Sequence, residues 1–508
     1  MQTWTHGYVS DISYDYSFFP ELSPTSMAFN LLNSRYVPPS LEQFTYCELG
    51  CGQGFTTNIL AATHPQGEFW GIDFNPTHTA EAQRLAQAAQ LSNMQFFDHS
   101  FAEFLAADTP PFDFITLHGV YSWIDDKNRH HIVNLLQQKL KVGGAVYISY
   151  NALPGWAALM PLQMLMQQSS SQSGDSSLHK IEAGMAFAQQ LQGVKARYFL
   201  DNPSVKADLE AMTDDSRHYL AHEYLNQNWQ PFYHSEVVQQ LAEAKLTYAT
   251  SGDIDDQFYD FKLTEAQLSL LAEIPDLVRR ETIRDFLFNT RFRRDLFVKG
   301  AVRLGALEQV EQLSQVYFAL IINPEEMAYE VDLVGRSIKL EQAIYEPIVA
   351  AFATQPRSLR ELMRHPDLKQ LDFVTICQAL KILISTYQVT PALPPAEAAR
   401  RRTATTALNQ AILRRSRFGA DTQVLASPVT ASGIDVSRSE QLFLLAHLRQ
   451  ADPVAFVWSL LQVQGEKLIK DGEVLATAAA NQAELAAQAQ QFQQQRLPLF
   501  QQLGILES

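Results

Sequence analysis

Seven residues, Glu48-Leu49-Gly50-Cys51-Gly52-Gln53-Gly54, carry the first chemistry in the chain. Glycines at alternate positions let a backbone turn sharply and approach a ligand closely, here just ahead of a predicted helix N-terminus. The spacing excludes the dinucleotide fingerprint Gly-x-Gly-x-x-Gly, because Phe55 or Thr57 stands where the third glycine is needed. Nineteen residues after Gly54 comes Asp73, at the end of a predicted strand, where a carboxylate can accept from both hydroxyls of a ribose. Phe74 follows it and can stack on a purine. Two further groups stand in register: Asp98-His99-Ser100-Phe101 after a third strand, and His118-Gly119 after a fourth.

The elements that must position these residues alternate regularly. Strands are predicted over 44–49, 67–74, 94–97, 112–117 and 145–150, and helices over 55–62, 79–90 and 129–140. Strands separated by helices at this spacing imply right-handed crossovers and a parallel sheet. A helix-strand unit at 232–250 reads as the part that closes the sheet, so 157–230 is a helical insertion.

Composition narrows the function classes. The chain has 508 residues, too many for one core, with 46% apolar and 19% charged residues. Its formal charge is -16, which argues against a generic nucleic-acid binder. The three cysteines, Cys47, Cys51 and Cys377, have no second Cys or His pair at metal-ligand spacing. Neither a zinc site nor a disulfide framework is expected, and free thiols fit a reducing cytoplasm. No leader peptide and no apolar run long enough to span a membrane is read, so the expectation is a cytoplasmic protein without membrane insertion. His222-Glu223 is half of a zinc-protease motif, but Asn226 stands where the second histidine belongs.

The second half is predicted mostly helical. Arg279, Arg280, Arg284, Arg291, Arg293 and Arg294, interleaved with Phe286, Phe288, Phe292 and Phe297, read as an amphipathic helix with a solvated basic face or as a patch for an acidic partner. Residues 341–393 have the pattern of a winged helix, with Ser358 and Glu361 forming a capping box. Its third helix carries only Lys381, which favours protein packing over DNA. The Arg400-Arg401-Arg402 run after Pro394-Pro395 reads as a linker. The expected division is a domain over 1–260 with the insertion at 157–230, a middle domain over 261–395, and a C-terminal domain over 396–508.

The order acidic-x-Gly-x-Gly-x-Gly, then Asp73, Ser100-Phe101, His118 and Lys141-Val142-Gly143-Gly144, resembles the motif series of class I methyltransferases. Ser100 departs from the acid usual beside the adenine amine. The chain as a whole is similar to a bacterial family of methyltransferases carrying a methyltransferase regulatory domain. That likeness rests on Glu21-Leu22-Ser23-Pro24, Gly71-Ile72-Asp73-Phe74-Asn75-Pro76, Ser149-Tyr150-Asn151, Leu153-Pro154-Gly155-Trp156, His222-Glu223-Tyr224-Leu225 and Arg293-Arg294-Asp295. It implies a Rossmann-like α/β sheet with mainly helical C-terminal domains. It also implies S-adenosylmethionine as cofactor, held by Glu48, Gly50, Gly52, Gly54, Asp73, Phe74, Ser100, Phe101 and His118. Characterised relatives are dimeric protein lysine methyltransferases acting on outer-membrane proteins, so a protein substrate and a homodimer built through the insertion are expected.

Phenols and rings suit an amine acceptor, since rings attract ammonium and phenol oxygens orient the free amine. Tyr14, Tyr16, Trp123, Tyr150 and Asn151 are the candidates around the reacting methyl group; Trp156 reads equally as core or as pocket wall. Two other readings stay open: a small-molecule methyltransferase, and a cofactor-sensing regulator without catalysis.

Overall fold

The computed structural model describes residues 7–9, 11–12, 16–170, 176–212, 217–333 and 335–506. Tyr14 lies outside them. Strands β1 (Phe44–Leu49), β2 (Gly67–Ile72), β3 (Met94–Phe97), β4 (Phe112–Leu117) and β5 (Leu140–Asn151) are all parallel, with β6 (Leu246–Ser251) and β7 (Phe292–Lys299) completing a seven-stranded sheet in the order β3-β2-β1-β4-β5-β7-β6. β7 runs antiparallel to both β5 and β6. Strand order reverses between β1 and β4, and a crevice opens beyond the carboxyl ends of strands at such a switch point.

Helices α1 (Pro24–Asn33), α2 (Phe55–Thr63), α3 (Pro76–Ala88), α4 (Phe101–Ala106) and α5 (Asp126–Lys139) belong to the alternating half. Their starts are written in the sequence. Asn75 caps α3 by accepting from the Thr77 amide, with Pro76 at its first turn, and Ser100 and Glu103 form a capping box on α4. The insertion contains α6 (Met160–Ser170), α7 (Ser177–Gly193), α8 (Arg197–Asp201), α9 (Pro203–Ala211) and α10 (Arg217–Leu225), packed around Leu162, Met166, Ile181 and Tyr224. The chain continues through α11 (His234–Ala242), α12 (Glu265–Ala272) and α13 (Leu277–Phe288) into β7.

The arginine cluster is thus not one solvated helix face. α13 carries Arg279, Arg280 and Arg284, while Arg291 precedes β7 and Arg293 and Arg294 lie within it. Arg293 is buried among Glu281, Asp285 and Asp295, Arg294 pairs with Glu21 and Asp253, and Arg291 pairs with Asp208. Phe297 is a core residue. A central strand is buried on both faces, so it shows no alternation by which to tell it from a helix. The sheet also takes this strand from beyond residue 260, where the first domain was expected to end.

Over 341–393, helices Gln342–Phe352, Leu359–Met363 and Phe373–Ser385 appear, with the expected capping box at Ser358. Strand Val389–Ala392 and the short Arg357–Ser358 pair with Tyr317–Leu320, which precedes the module. The Arg400-Arg401-Arg402 run is no linker. It lies in helix Ala398–Arg415, where Arg401 is buried and donates to the Pro428 carbonyl. That helix packs on α2 and α3, joining Leu408 and Ile412 to Phe55, Ile59 and Leu85 in one core. No helix among the described residues is long and apolar enough to cross a membrane.

Candidate active site

A cleft of about 720 Å³ opens at the switch point, between the ends of β1 and β4 and beneath the insertion. Glu48 reaches it from β1. Its carboxyl accepts from the Thr57 hydroxyl, and burial, with the Asp73 charge adding, pushes it up to about 7 against that hydrogen bond. Asp73 follows β2 and holds the glycine loop: it accepts from the Gly52 amide at 3.0 Å and the Asn75 amide at 2.9 Å, with His78 Nδ1 at 3.3 Å.

Gly52 has φ +53°, and a side-chain carbon built there would meet no protein atom within 4 Å. The loop thus presents bare backbone to open space, as a cradle for a bound nucleoside requires. Gly54 serves packing instead, since a Cβ there would fall 2.5 Å from Phe96. Phe74, Ser100 and Phe101 line a recess joined to the cleft, next to Trp123. The indole N–H of Trp123 and Nδ1 of His99 are buried there without a partner among the described residues. Orphaned polar atoms beside a bare-backbone loop fit a nucleoside ligand.

His118 also lines the cleft, stacked on Phe19 with centroids 3.8 Å apart and with Nδ1 3.0 Å from the Tyr147 hydroxyl. Burial, aided by the Arg294 charge, lowers it to about 3, so it is neutral at physiological pH. Tyr16 lines the opposite side. Its hydroxyl meets Glu81 and Arg415, and the Arg415 guanidinium sits 4.2 Å above the ring, so the C-terminal part of the chain supports this wall.

Tyr150 does not join them. Neighbours on a strand face opposite sides, and while Asn151 lines the cleft, Tyr150 is 1% exposed with its hydroxyl donating to Asp295 at 2.6 Å. Asn151 instead donates to Glu223 Oε1 at 2.8 Å. Glu223 lines the cleft from α10, takes a second hydrogen bond from Trp229 on the same oxygen, and keeps Oε2 without a hydrogen bond among the described residues. Burial pushes its carboxyl up to about 7, against the bonds from Asn151 and Trp229. The wall around it is aromatic, with Trp156, Tyr219, Tyr224 and Phe292.

The sequence placed Glu223 in half of a metal motif and in a stretch that carries the family likeness, but gave it no role in the site. A lone acid between Ala221 and Tyr224-Leu225, on a helix that must bury that face, was the available signal. Arg291 and Asp208, paired through both oxygens at the cleft, are 83 residues apart and gave none. Among the described residues no group of three or more His, Cys, Asp or Glu is placed to hold a metal.

Sheet order, switch-point cleft and bare-backbone loop together define the class, an S-adenosylmethionine-dependent methyltransferase. A family model described as a methyltransferase domain matches residues 47–144, and one described as a predicted methyltransferase regulatory domain matches residues 216–299. An uncharacterised protein of Synechocystis is 42% identical over 504 residues, covering 99% of this chain and 100% of that one. An uncharacterised protein of Rickettsia prowazekii is 26% identical, over 58% of this chain and 53% of its own. The solved structure of PKMT2 from Rickettsia typhi in complex with AdoHcy shares the fold at TM-score 0.70 and 18% identity, over 94% of this chain and 97% of that one. The chain belongs to the family of class I methyltransferases that carry a methyltransferase regulatory domain.

Proposed function

We propose that the methyl acceptor is a protein side-chain amine, lysine, and that Glu223 is the group that receives it. One observation carries this reading: a buried carboxyl with a free oxygen, anchored by Asn151, stands in the cleft among aromatic side chains, where the nearby Arg291 is already paired with Asp208. Glu48, Gly50, Gly52, Asp73, Phe74, Ser100, Phe101 and His118 are assigned to the cofactor, which supplies an electrophilic methyl group on a positively charged sulfur. The remaining work falls to the chain. Trp156, Tyr224 and Phe292 exclude water and attract an ammonium through their ring faces. Once the ammonium has given one proton to solvent, Glu223 Oε2 accepts an N–H of the neutral amine and fixes its lone pair. As the nitrogen gains a bond it gains positive charge, and the adjacent carboxylate stabilises that charge in place of solvent. Neutral His118 adds no competing cation.

Glu223 must be ionised for this role, so transfer is expected to rise as pH increases through about 7. Glu223→Gln should lower kcat/KM by about a hundredfold and remove that limb of the profile, with cofactor affinity unchanged. The direct test is transfer of a radiolabelled methyl group from the cofactor to bacterial protein extract, followed by hydrolysis. Label in methyl-lysine is the expected outcome. Label confined to low-mass compounds would establish the small-molecule reading, and none at all with cofactor bound would leave a regulator.

The assembly belongs to the same proposal. Met160, Met164, Phe187, Val194 and Leu200 of the insertion region are exposed, whereas Met166 is buried inside it. Apolar surface of this kind is covered when two copies meet, and twofold dimers are the commonest solution. Light scattering on a sizing column should give about twice 57.2 kDa. The monomer mass at micromolar concentration would leave the insertion as a cover of the cleft alone.

A further inference from the structure

A second cavity, of about 470 Å³, shares no lining residue with the cleft and lies where three parts of the chain meet. The sheet side supplies Glu21, Asn30, Asp253, Asp255 and Arg294. The 341–393 module supplies Ser385 and Tyr387, and the C-terminal part supplies Ser432, Asp435 and Arg496. Its volume lies within the range of small-molecule sites, which favour such junctions.

The charges in its wall do not balance. Arg294 is shared by Glu21 and Asp253, and Arg496 is engaged by Glu440 outside the wall. Among the described residues Asp255 takes only the Ser385 hydroxyl as a side-chain hydrogen bond, and Asp435 makes no ion pair. The four carboxyls of the wall face two guanidiniums, and Arg496 is held by Glu440 and by the backbone carbonyl of Asp435. Burial raises all four carboxyls above their ordinary range.

Two uncharged groups point to a ligand independently. Asn30 is 4% exposed; its amide N–H donates to the Gly252 carbonyl at 2.8 Å, and its Oδ1 accepts nothing among the described residues. Ser432 is 6% exposed, and its hydroxyl has no hydrogen bond among the described residues. Unpaired polar atoms on nine-tenths-buried side chains are costly unless something else satisfies them. Here both line the cavity: the Asn30 oxygen lacks a donor, and the Ser432 hydroxyl is free to accept or to donate.

We propose that this cavity is a binding site for a small aliphatic diamine. The carboxyls of Asp253, Asp255 and Asp435 take the two ammonium charges, Asn30 Oδ1 and the Ser432 hydroxyl accept further N–H groups, and Phe18 with Tyr387 covers the carbon chain. The site is distinct from the methyl-transfer cleft, so it does not depend on what the acceptor is. It joins the sheet to both later parts of the chain, which is where an effector ligand would act on their packing.

The test is titration calorimetry of the full chain with putrescine, with S-adenosylhomocysteine saturating to occupy the cleft. One putrescine per chain is expected, with 1,4-butanediol, its uncharged counterpart, showing no heat. The double variant Asp255→Asn, Asp435→Asn keeps the shape of both side chains and should weaken putrescine at least roughly tenfold, since charge-assisted hydrogen bonds are lost. No putrescine binding at millimolar concentration overturns the proposal. So does equal binding of the diol, or undiminished binding by a folded double variant. Binding that disappears when the homocysteine compound is present would place the amine in the cleft and overturn it as well.

Discussion

Gly52→Val is expected to abolish S-adenosylmethionine binding and leave the fold standing. At φ +53° a β-branched residue is strained by about 1–2 kcal/mol, a tolerable cost for a domain of this size. No protein atom lies within 4 Å of the added Cβ, so the protein itself does not object. The isopropyl group would fill the space beside the loop that the cofactor must occupy. Gly50 cannot make this separation, because a Cβ there would fall 2.5 Å from Val120 Cγ2 and disturb the wall itself. Calorimetry should detect no cofactor heat in the variant, with melting lowered by only a few degrees. Affinity retained within fivefold would mean that the loop is a turn and nothing more.

Arg293→Leu should be the most damaging single change to stability. Arg293 is 4% exposed near the start of β7, and its guanidinium donates to Asp285 at 2.7 Å, Glu281 at 3.1 Å and Asp295 at 3.0 Å. It holds the Asp295 carboxyl well below the usual range despite burial that would raise it, with His234 assisting. Leucine would leave buried Asp285 without its ion-pair partner and strip one donor each from Glu281, which keeps Arg284, and Asp295, which keeps Tyr150 and His234; breaking a buried pair from one side typically costs about 3–5 kcal/mol. Loss of soluble protein, or a much lower urea midpoint, is the expected result. A midpoint within experimental error of the wild type would refute the network's structural role.

The alternating half was legible because each strand is short, apolar and bounded by turns. β1, β3 and β4 fall where the residues place them, and the glycine loop marks the crevice. What the sequence withheld was parity and distance. Whether Tyr150 or Asn151 faces the cleft depends on pairing register, and a shift of one residue exchanges them. β7 hid among arginines because their partners, Asp208, Asp253 and Glu281, are brought to it only by the fold. Glu223 was visible as an acid on an apolar helix, but its meaning depends on Asn151, 72 residues away.

The position of β7 also constrains how the protein can be made. Among the described residues β6 pairs with no strand but β7, and β5 offers its outer edge to β7 alone. While a ribosome is still working on residues 252–291, both edges wait unsatisfied, and unpaired edges invite aggregation. The span matched as a regulatory domain, 216–299, ends with the residue that closes the sheet. That span is therefore built into the sheet and is no detachable accessory to a finished enzyme. A gene ending before β7 would deliver a sheet with an open seam between β5 and β6.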